Sequence, residues 1–151
     1  MKKLIFSFCF FTTLIMNATA QDLQVRLNHI ALQVKELETS RDFYKNVIGL
    51  PQIQDPFNDD IHAWLDMGGS QLHLIEGGID EGEKDKNNHL CFSVNDMEAF
   101  IQQLKKHNVT FSDWPGEEGA ITVRPDGIRQ IYFKDPDGHW IEVNDDHGSN
   151  K

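Results

Sequence analysis

Cysteine is nearly absent from this chain. Among 151 residues only Cys9 and Cys91 occur, too few for a disulfide-built scaffold. Basic charge is also short, with 14 lysines and arginines against 24 acidic residues and a formal net charge of -10. That balance excludes a nucleic-acid backbone as the main partner and equally an anionic membrane surface. No glycine-rich phosphate loop, serine nucleophile elbow or paired C-x-x-C occurs. Nor does any apolar run reach the ~20 residues needed to span a bilayer.

The longest apolar run, Leu4–Met16, follows Lys2 and Lys3 and ends in Ala18-Thr19-Ala20. Charge, apolar core and small-residue cleavage site stand in the order of a secretory signal. Residues 1–20 are therefore expected to be removed, leaving residues 21–151 as a single domain, exported to the periplasm or secreted, with no membrane attachment. Cleavage would leave Cys91 alone, with no partner for an internal disulfide.

What the chain does have is an internal repeat. Asn28-His29-Ile30-Ala31-Leu32-Gln33-Val34 matches Asn88-His89-Leu90-Cys91-Phe92-Ser93-Val94, and each leads into a helical pattern. The first helix carries Leu37, Phe43, Tyr44, Val47 and Ile48 and stops at Gly49 and Pro51. The second carries Met97, Phe100, Ile101 and Leu104, with Asn95 expected as N-cap and Glu98 as its reciprocal partner. Gly69–Leu74 similarly matches Gly138–Val143. Each half reads strand, helix, then about three strands, over roughly 25–80 and 85–147. Strands are expected near 26–34, 52–55, 61–67, 70–76, 87–94, 109–113, 121–133 with a break, and 139–145. Asp135-Pro136-Asp137-Gly138 reads as a turn, and the charged stretch from Gly77 to Asn87 as a linker. Neither half covers both of its sheet faces alone, so the two should pack together as an α+β domain.

Strand alternation then separates two faces. Ile30, Leu32 and Val34 oppose His29, Ala31 and Gln33; Leu90, Phe92 and Val94 oppose His89, Cys91 and Ser93. Leu72 and Leu74 oppose Gln71 and His73; Ile141 and Val143 oppose Trp140 and Glu142. Four metal-capable side chains, His29, His73, His89 and Glu142, thus share the polar faces at repeat-related places. A sheet curved into a cup would bring them together. Imidazoles with one carboxylate suit Zn²⁺, Ni²⁺, Co²⁺, Mn²⁺ or Fe²⁺ and leave positions open for substrate. Gln33, Gln71, Cys91, Trp140 and Arg129 are candidate pocket residues. Trp64 and Trp114 divide evenly between pocket and ordinary packing, and Arg124 between pocket and surface ion pair. His62, His107, His139 and His147 read as structural or exposed.

The repeat, the Ser40-Arg41-Asp42-Phe43-Tyr44 helix and the closing Asp135-Pro136-Asp137-Gly138-His139-Trp140-Ile141-Glu142-Val143 resemble the vicinal oxygen chelate superfamily of glyoxalases, bleomycin-resistance proteins and extradiol dioxygenases, over about residues 25–146. The resemblance implies paired βαβββ modules forming a cup-shaped curved sheet around one divalent metal ion, often completed in a homodimer. It places ligands at His29, His73, His89 and Glu142. It also implies a lyase or isomerase acting on a small substrate with vicinal oxygens through a metal-stabilised enediolate, with Glu142 or His73 moving the proton. A dioxygenase or transferase using His29, His89 and Glu142 is the alternative within the family, and a metal-free, bleomycin-resistance-like binder the alternative outside catalysis. Gln33 stands where glyoxalase I enzymes carry an arginine for glutathione, and Ala31 where fosfomycin-modifying enzymes carry a threonine. Both departures point away from those two substrates.

Overall fold

The computed structural model describes residues 23–78 and 82–147. The expected signal segment and the middle of the expected linker lie outside these residues. Two modules follow one another. The first comprises β1 (His29–Val34), α1 (Leu37–Phe43, continued by a wider π-helical turn over Tyr44–Ile48), β2 (Gln52–Ile53), β3 (His62–Asp66) and β4 (Gln71–Glu76). The second comprises β5 (His89–Ser93), α2 (Met97–Lys106), β6 (Thr122–Val123), β7 (Arg129–Lys134) and β8 (Trp140–Asn144). Among the described residues no helix is long and apolar enough to cross a membrane.

The strands form two four-stranded sheets, ordered β1-β4-β3-β2 and β5-β8-β7-β6, with β1 parallel to β4 and β5 parallel to β8. The paired βαβββ modules are therefore present, but the single cup-shaped curved sheet is not. No strand of one sheet pairs with the other, and neither sheet closes or curls strongly. The reason lies in how the apolar faces are buried. Leu65, Leu72 and Leu74 of the first sheet and Ile131, Phe133, Ile141 and Val143 of the second join one core with Tyr44, Val47, Met97 and Leu104 of the helices. Each such fully buried side chain contributes roughly 1.5–3 kcal/mol. With both apolar faces committed to this core, the polar faces remain in two separate sheets instead of gathering into one cup.

Polar ties cross this seam. Tyr44 donates its hydroxyl proton to Asp135 Oδ2 at 2.8 Å, deep in the core, and Ser40 donates to Asp137 Oδ2 at 2.5 Å. Asp135 also receives the backbone N–H of Asp137 and His139 and pairs with His139 Nδ1. The turn expected at 135–138 thus also joins the modules; Gly138 supplies its left-handed residue, φ 80°. Burial, then the Asp135 charge, raises the pKa of Tyr44 and keeps the phenol protonated as a donor.

Gly49 ends the first helix in the left-handed conformation, φ 92°, as its sequence position implied. The second helix starts differently from expectation. Asp96, not Asn95, is the N-cap, its carboxylate accepting from Ala99 N at 2.9 Å. Glu98 does not reach back to cap; it pairs with Arg129. The helix begins one residue later than the Asn95-x-x-Glu98 spacing requires. The expected strand at 109–113 shrinks to isolated bridges at Ser112.

Asp96→Ala should cost about 1 kcal/mol of unfolding free energy in urea titration, as loss of a cap does, while Asn95→Ala should change it little. Tyr44→Phe should cost about 1.5–3 kcal/mol, since it removes a buried hydrogen bond to a charged acceptor.

Candidate metal centre

Strand register determines which polar side chains meet. On the first sheet His29 stands beside Gln71, Ala31 beside His73 and Gln33 beside Ile75, while His73 faces Trp64 and Ile75 faces His62 across β3. His29 and His73 are therefore diagonal neighbours, with ring centroids 5.9 Å apart. On the second sheet His89 stands beside Trp140 and Cys91 beside Glu142, which faces Tyr132. His89 and Glu142 are again diagonal, with Nε2 3.2 Å from Oε2. The repeat seen in the sequence is thus a structural repeat, one metal-capable pair per module. The two pairs do not meet. Among the described residues no group of three or more histidine, cysteine or acidic side chains is placed to hold an ion.

The tautomers are set by what each Nδ1 touches. His29 Nδ1 lies 2.7 Å from the amide oxygen of Asn28, and His89 Nδ1 lies 2.8 Å from the carbonyl of Lys86. Both partners only accept, so Nδ1 carries the proton and Nε2 presents its lone pair. At His89 that lone pair confronts a carboxylate oxygen. Two acceptors at 3.2 Å repel unless a cation lies between them, a proton or a metal ion. His73 offers a second such sign. It is 6% exposed, and its Nε2 is buried with no hydrogen-bond partner. Burial first, then the neighbouring His62 and His29, lowers its pKa and keeps it neutral, the state in which imidazole binds metal. The donor set of this chain therefore fits a divalent ion, divided into two half-sites.

Glu142, 5% exposed, is held by four donors. Gln130 Nε2 at 2.5 Å, Asn144 Nδ2 at 3.0 Å and Cys91 Sγ at 3.2 Å reach Oε1, and Tyr132 hydroxyl reaches Oε2 at 2.8 Å. Burial opposes its ionisation, but these hydrogen bonds outweigh it and hold its pKa below the ordinary 4.5. A carboxylate so stabilised suits charge-holding better than proton abstraction near neutral pH. Burial and the adjacent Glu142 push the Cys91 thiol up to about 12, so it stands as a neutral donor to the carboxylate.

A model of the Glyoxalase/Bleomycin resistance protein/Dioxygenase superfamily matches residues 26–143. The chain belongs to this superfamily. It is 30% identical over 126 residues to Glyoxylase I 4 of Arabidopsis thaliana, covering 78% of this chain and 68% of that one. It is 32% identical over 124 residues to metallothiol transferase FosB of Staphylococcus epidermidis, covering 78% and 79%. Among solved structures, the fosfomycin resistance protein FosX of Listeria monocytogenes, in a mutant form with Mn(II) and 1S,2S-dihydroxypropylphosphonic acid, superposes with a TM-score of 0.63 at 22% identity, covering 80% of this chain and 90% of that one.

Within this superfamily fold the expected pocket residues separate. Trp140 shares the Glu142 face, and with His89, Leu32, Asn88 and His139 it lines a groove of about 530 Å³. Gln33 and Gln71 lie on the polar face of the first sheet. Arg129 does not line the pocket. By alternation it falls on the face opposite Glu142, where Asp145 at 2.7 Å and Glu98 hold its guanidinium. Arg124 pairs with Asp126 at 2.5 Å. His139 is structural, between Asp135 and Lys84 Nζ. His62, expected off the site, packs against His73 with centroids 5.1 Å apart, and Trp64 stacks on His73 at 3.9 Å. Both alternate in phase with His73 across β3, a signal readable only once strand pairing is known. The donors Gln130 and Tyr132 were missed for the same reason.

Because the folded pKa of Glu142 is depressed, its network contributes fully above the ordinary 4.5 and is lost as pH falls through the lower folded value. Urea unfolding of metal-free protein should therefore weaken on acidification below that point. Glu142→Gln should show a shallower acid dependence and a lower stability at pH 7.

Proposed function

We propose that this protein is a divalent-metal-dependent lyase or isomerase that moves a proton between neighbouring carbons of a small substrate bearing vicinal oxygens. One observation carries the reading: His89 Nε2 faces the Glu142 carboxylate at 3.2 Å, and the repeat sets the His29 and His73 rings 5.9 Å apart in the same diagonal relation. His29, His89 and Glu142 would hold the ion. When bound, such an ion polarises the substrate oxygens and stabilises negative charge developing on them. His73 is neutral, buried and without a donor at Nε2, and is the group best suited to take the substrate proton. Trp64 and His62 flank its ring and exclude water from it. Gln33, Gln71 and Trp140 would contact the substrate. The enzymatic names of the relatives, a glyoxylase and a metallothiol transferase, agree with metal-assisted chemistry on small molecules. The ion is zinc, nickel, cobalt, manganese or iron.

A homodimer completes the site in this reading. Each chain offers two half-sites on separate sheets, and a second copy can bring the complementary half to each. β1 and β5 are edge strands, and the segment before β1 exposes Leu23, Val25 and Leu27 in alternation, at 86%, 88% and 59%. An unpaired edge continued by an apolar alternating segment is a surface that calls for a partner. The secretory signal read in residues 1–20 would place this dimer outside the cytoplasm.

Elemental analysis of chelator-free protein should find about one such ion per chain, lost in His89→Ala. A mixture of refolded His29→Ala/His73→Ala and His89→Ala/Glu142→Ala proteins should regain about a quarter of the wild-type metal if sites form between copies, and none if they form within one. Solvent-deuterium incorporation into hemithioacetals and α-hydroxycarbonyls, followed by NMR, tests the chemistry. His73→Ala should lower that rate about 10²–10⁴-fold with metal retained. A wild-type protein that takes up none of the five ions would sink the catalytic reading and leave a metal-free binder.

A further inference from the structure

The segment entering β5 belongs to no strand or helix, yet it is tied down twice. Trp140 Nε1 donates to the carbonyl of Lys84 at 2.9 Å. Lys86 Nζ donates to the carbonyls of Asp113 at 2.7 Å and Trp114 at 3.0 Å. The same ammonium lies 4.5 Å from the ring centroid of Tyr132, 4.8 Å from Trp140 and 5.4 Å from Trp114. Three aromatic faces and two carbonyls therefore surround one cation, an arrangement that attracts ammonium electrostatically. Burial pulls the pKa of Lys86 down from 10.5, with Asp113 opposing that shift. A cation is placed here against its own desolvation, where an apolar side chain would pack without that cost.

Both candidate ligands of the second half-site meet at this residue. The Lys86 carbonyl is the acceptor for His89 Nδ1–H at 2.8 Å. The ring on which the Lys86 ammonium sits belongs to Tyr132, whose hydroxyl donates to Glu142 Oε2 at 2.8 Å and whose ring meets His89 edge-on at 5.9 Å. The sequence repeat does not supply this partner. In the first module His29 uses the side chain of Asn28, the residue before it, whereas in the second His89 turns to the Lys86 carbonyl and not to Asn88, at the matching place.

We propose that Lys86 is a positioning residue of the metal site: its ammonium, caged by Tyr132, Trp140 and Trp114, pins the segment whose carbonyl anchors His89 Nδ1–H and aims Nε2 at Glu142. The proposal rests on the reading of His89 and Glu142 as metal ligands, but its first consequence exists in metal-free protein. There the pin keeps the Nδ1–H of His89 on the Lys86 carbonyl and Nε2 turned to Glu142. When metal is bound, the same carbonyl keeps the imidazole oriented and raises its basicity, as outer partners of ligating histidines do.

The test uses Lys86→Met, which keeps the stem and removes the charge, Lys86→Gln as a second truncation should the first not fold, and Lys86→Arg, which restores a cation. Lys134→Met is the control, since Lys134 also lies over Trp140, at 4.7 Å, but has no tie to His89. Nitrogen-15 NMR of the imidazoles in metal-free protein should show a hydrogen-bonded, slowly exchanging Nδ1–H on His89 in wild type, Lys86→Arg and Lys134→Met. It should show that proton exchanging rapidly in Lys86→Met or Lys86→Gln. Zinc affinity by chelator competition should fall about 10–100-fold in the truncated variants and recover in Lys86→Arg. A folded Lys86→Met or Lys86→Gln that keeps the wild-type Nδ1–H protection overturns the proposal, as does an equal loss in Lys134→Met. If wild-type protein binds no zinc or other divalent ion, the metal reading fails, and the Nδ1–H measurement still decides the role of Lys86.

Discussion

The hydrogen bond from Tyr44 to Asp135 holds the architecture to one arrangement. It lies in an apolar seam at 2.8 Å, where a buried hydroxyl left without its acceptor would cost about 1–3 kcal/mol. Two βαβββ modules with similar apolar faces could pack in more than one relative orientation at comparable hydrophobic gain, because area burial is non-directional. A buried phenol that must meet one acceptor removes that freedom. Ser40 on Asp137 repeats the constraint one turn away. The candidate metal site is divided between the two sheets, His29 and His73 in one and His89 and Glu142 in the other.

Each half is built to present lone pairs. Nδ1 of His29 and His89 is occupied by acceptors, so Nε2 is the lone-pair nitrogen in both. Glu142 is held as an anion by Gln130, Asn144, Tyr132 and Cys91, and His73 is held neutral by burial and by its histidine neighbours. These shifts have opposite causes, hydrogen bonding to the charged form in one and desolvation of it in the other. Together they keep Glu142 anionic and His73 neutral, the forms in which a carboxylate and an imidazole can face a divalent cation.

Much of the fold was legible in the sequence because it depends on periodicities that need no tertiary information. Alternation along 29–34, 71–76, 89–93 and 140–144 marked faces that the structure keeps, and Gly49 marked where the first helix ends. The N-cap at Asp96 was not legible, since Asn95 and Asp96 are both able caps and backbone geometry chooses between them. The strand expected near 109–113 failed because its pairing partner, the β7 edge at Tyr132, offers only bridges to Ser112.

Local alternation was enough to place repeat-related His29, His73, His89 and Glu142 on polar faces, because each module's apolar side must be covered. Their neighbours came from strand pairing. Strand pairing put Trp64 and His62 against His73, and Gln130 and Tyr132 on Glu142, contacts between residues far apart in the chain with no local signature. It likewise turned Arg129 away to Asp145 and Glu98. Above all it decided that the two half-sites do not meet, because the buried seam at Tyr44 and Asp135, rather than any preference of the polar residues, sets how the modules face.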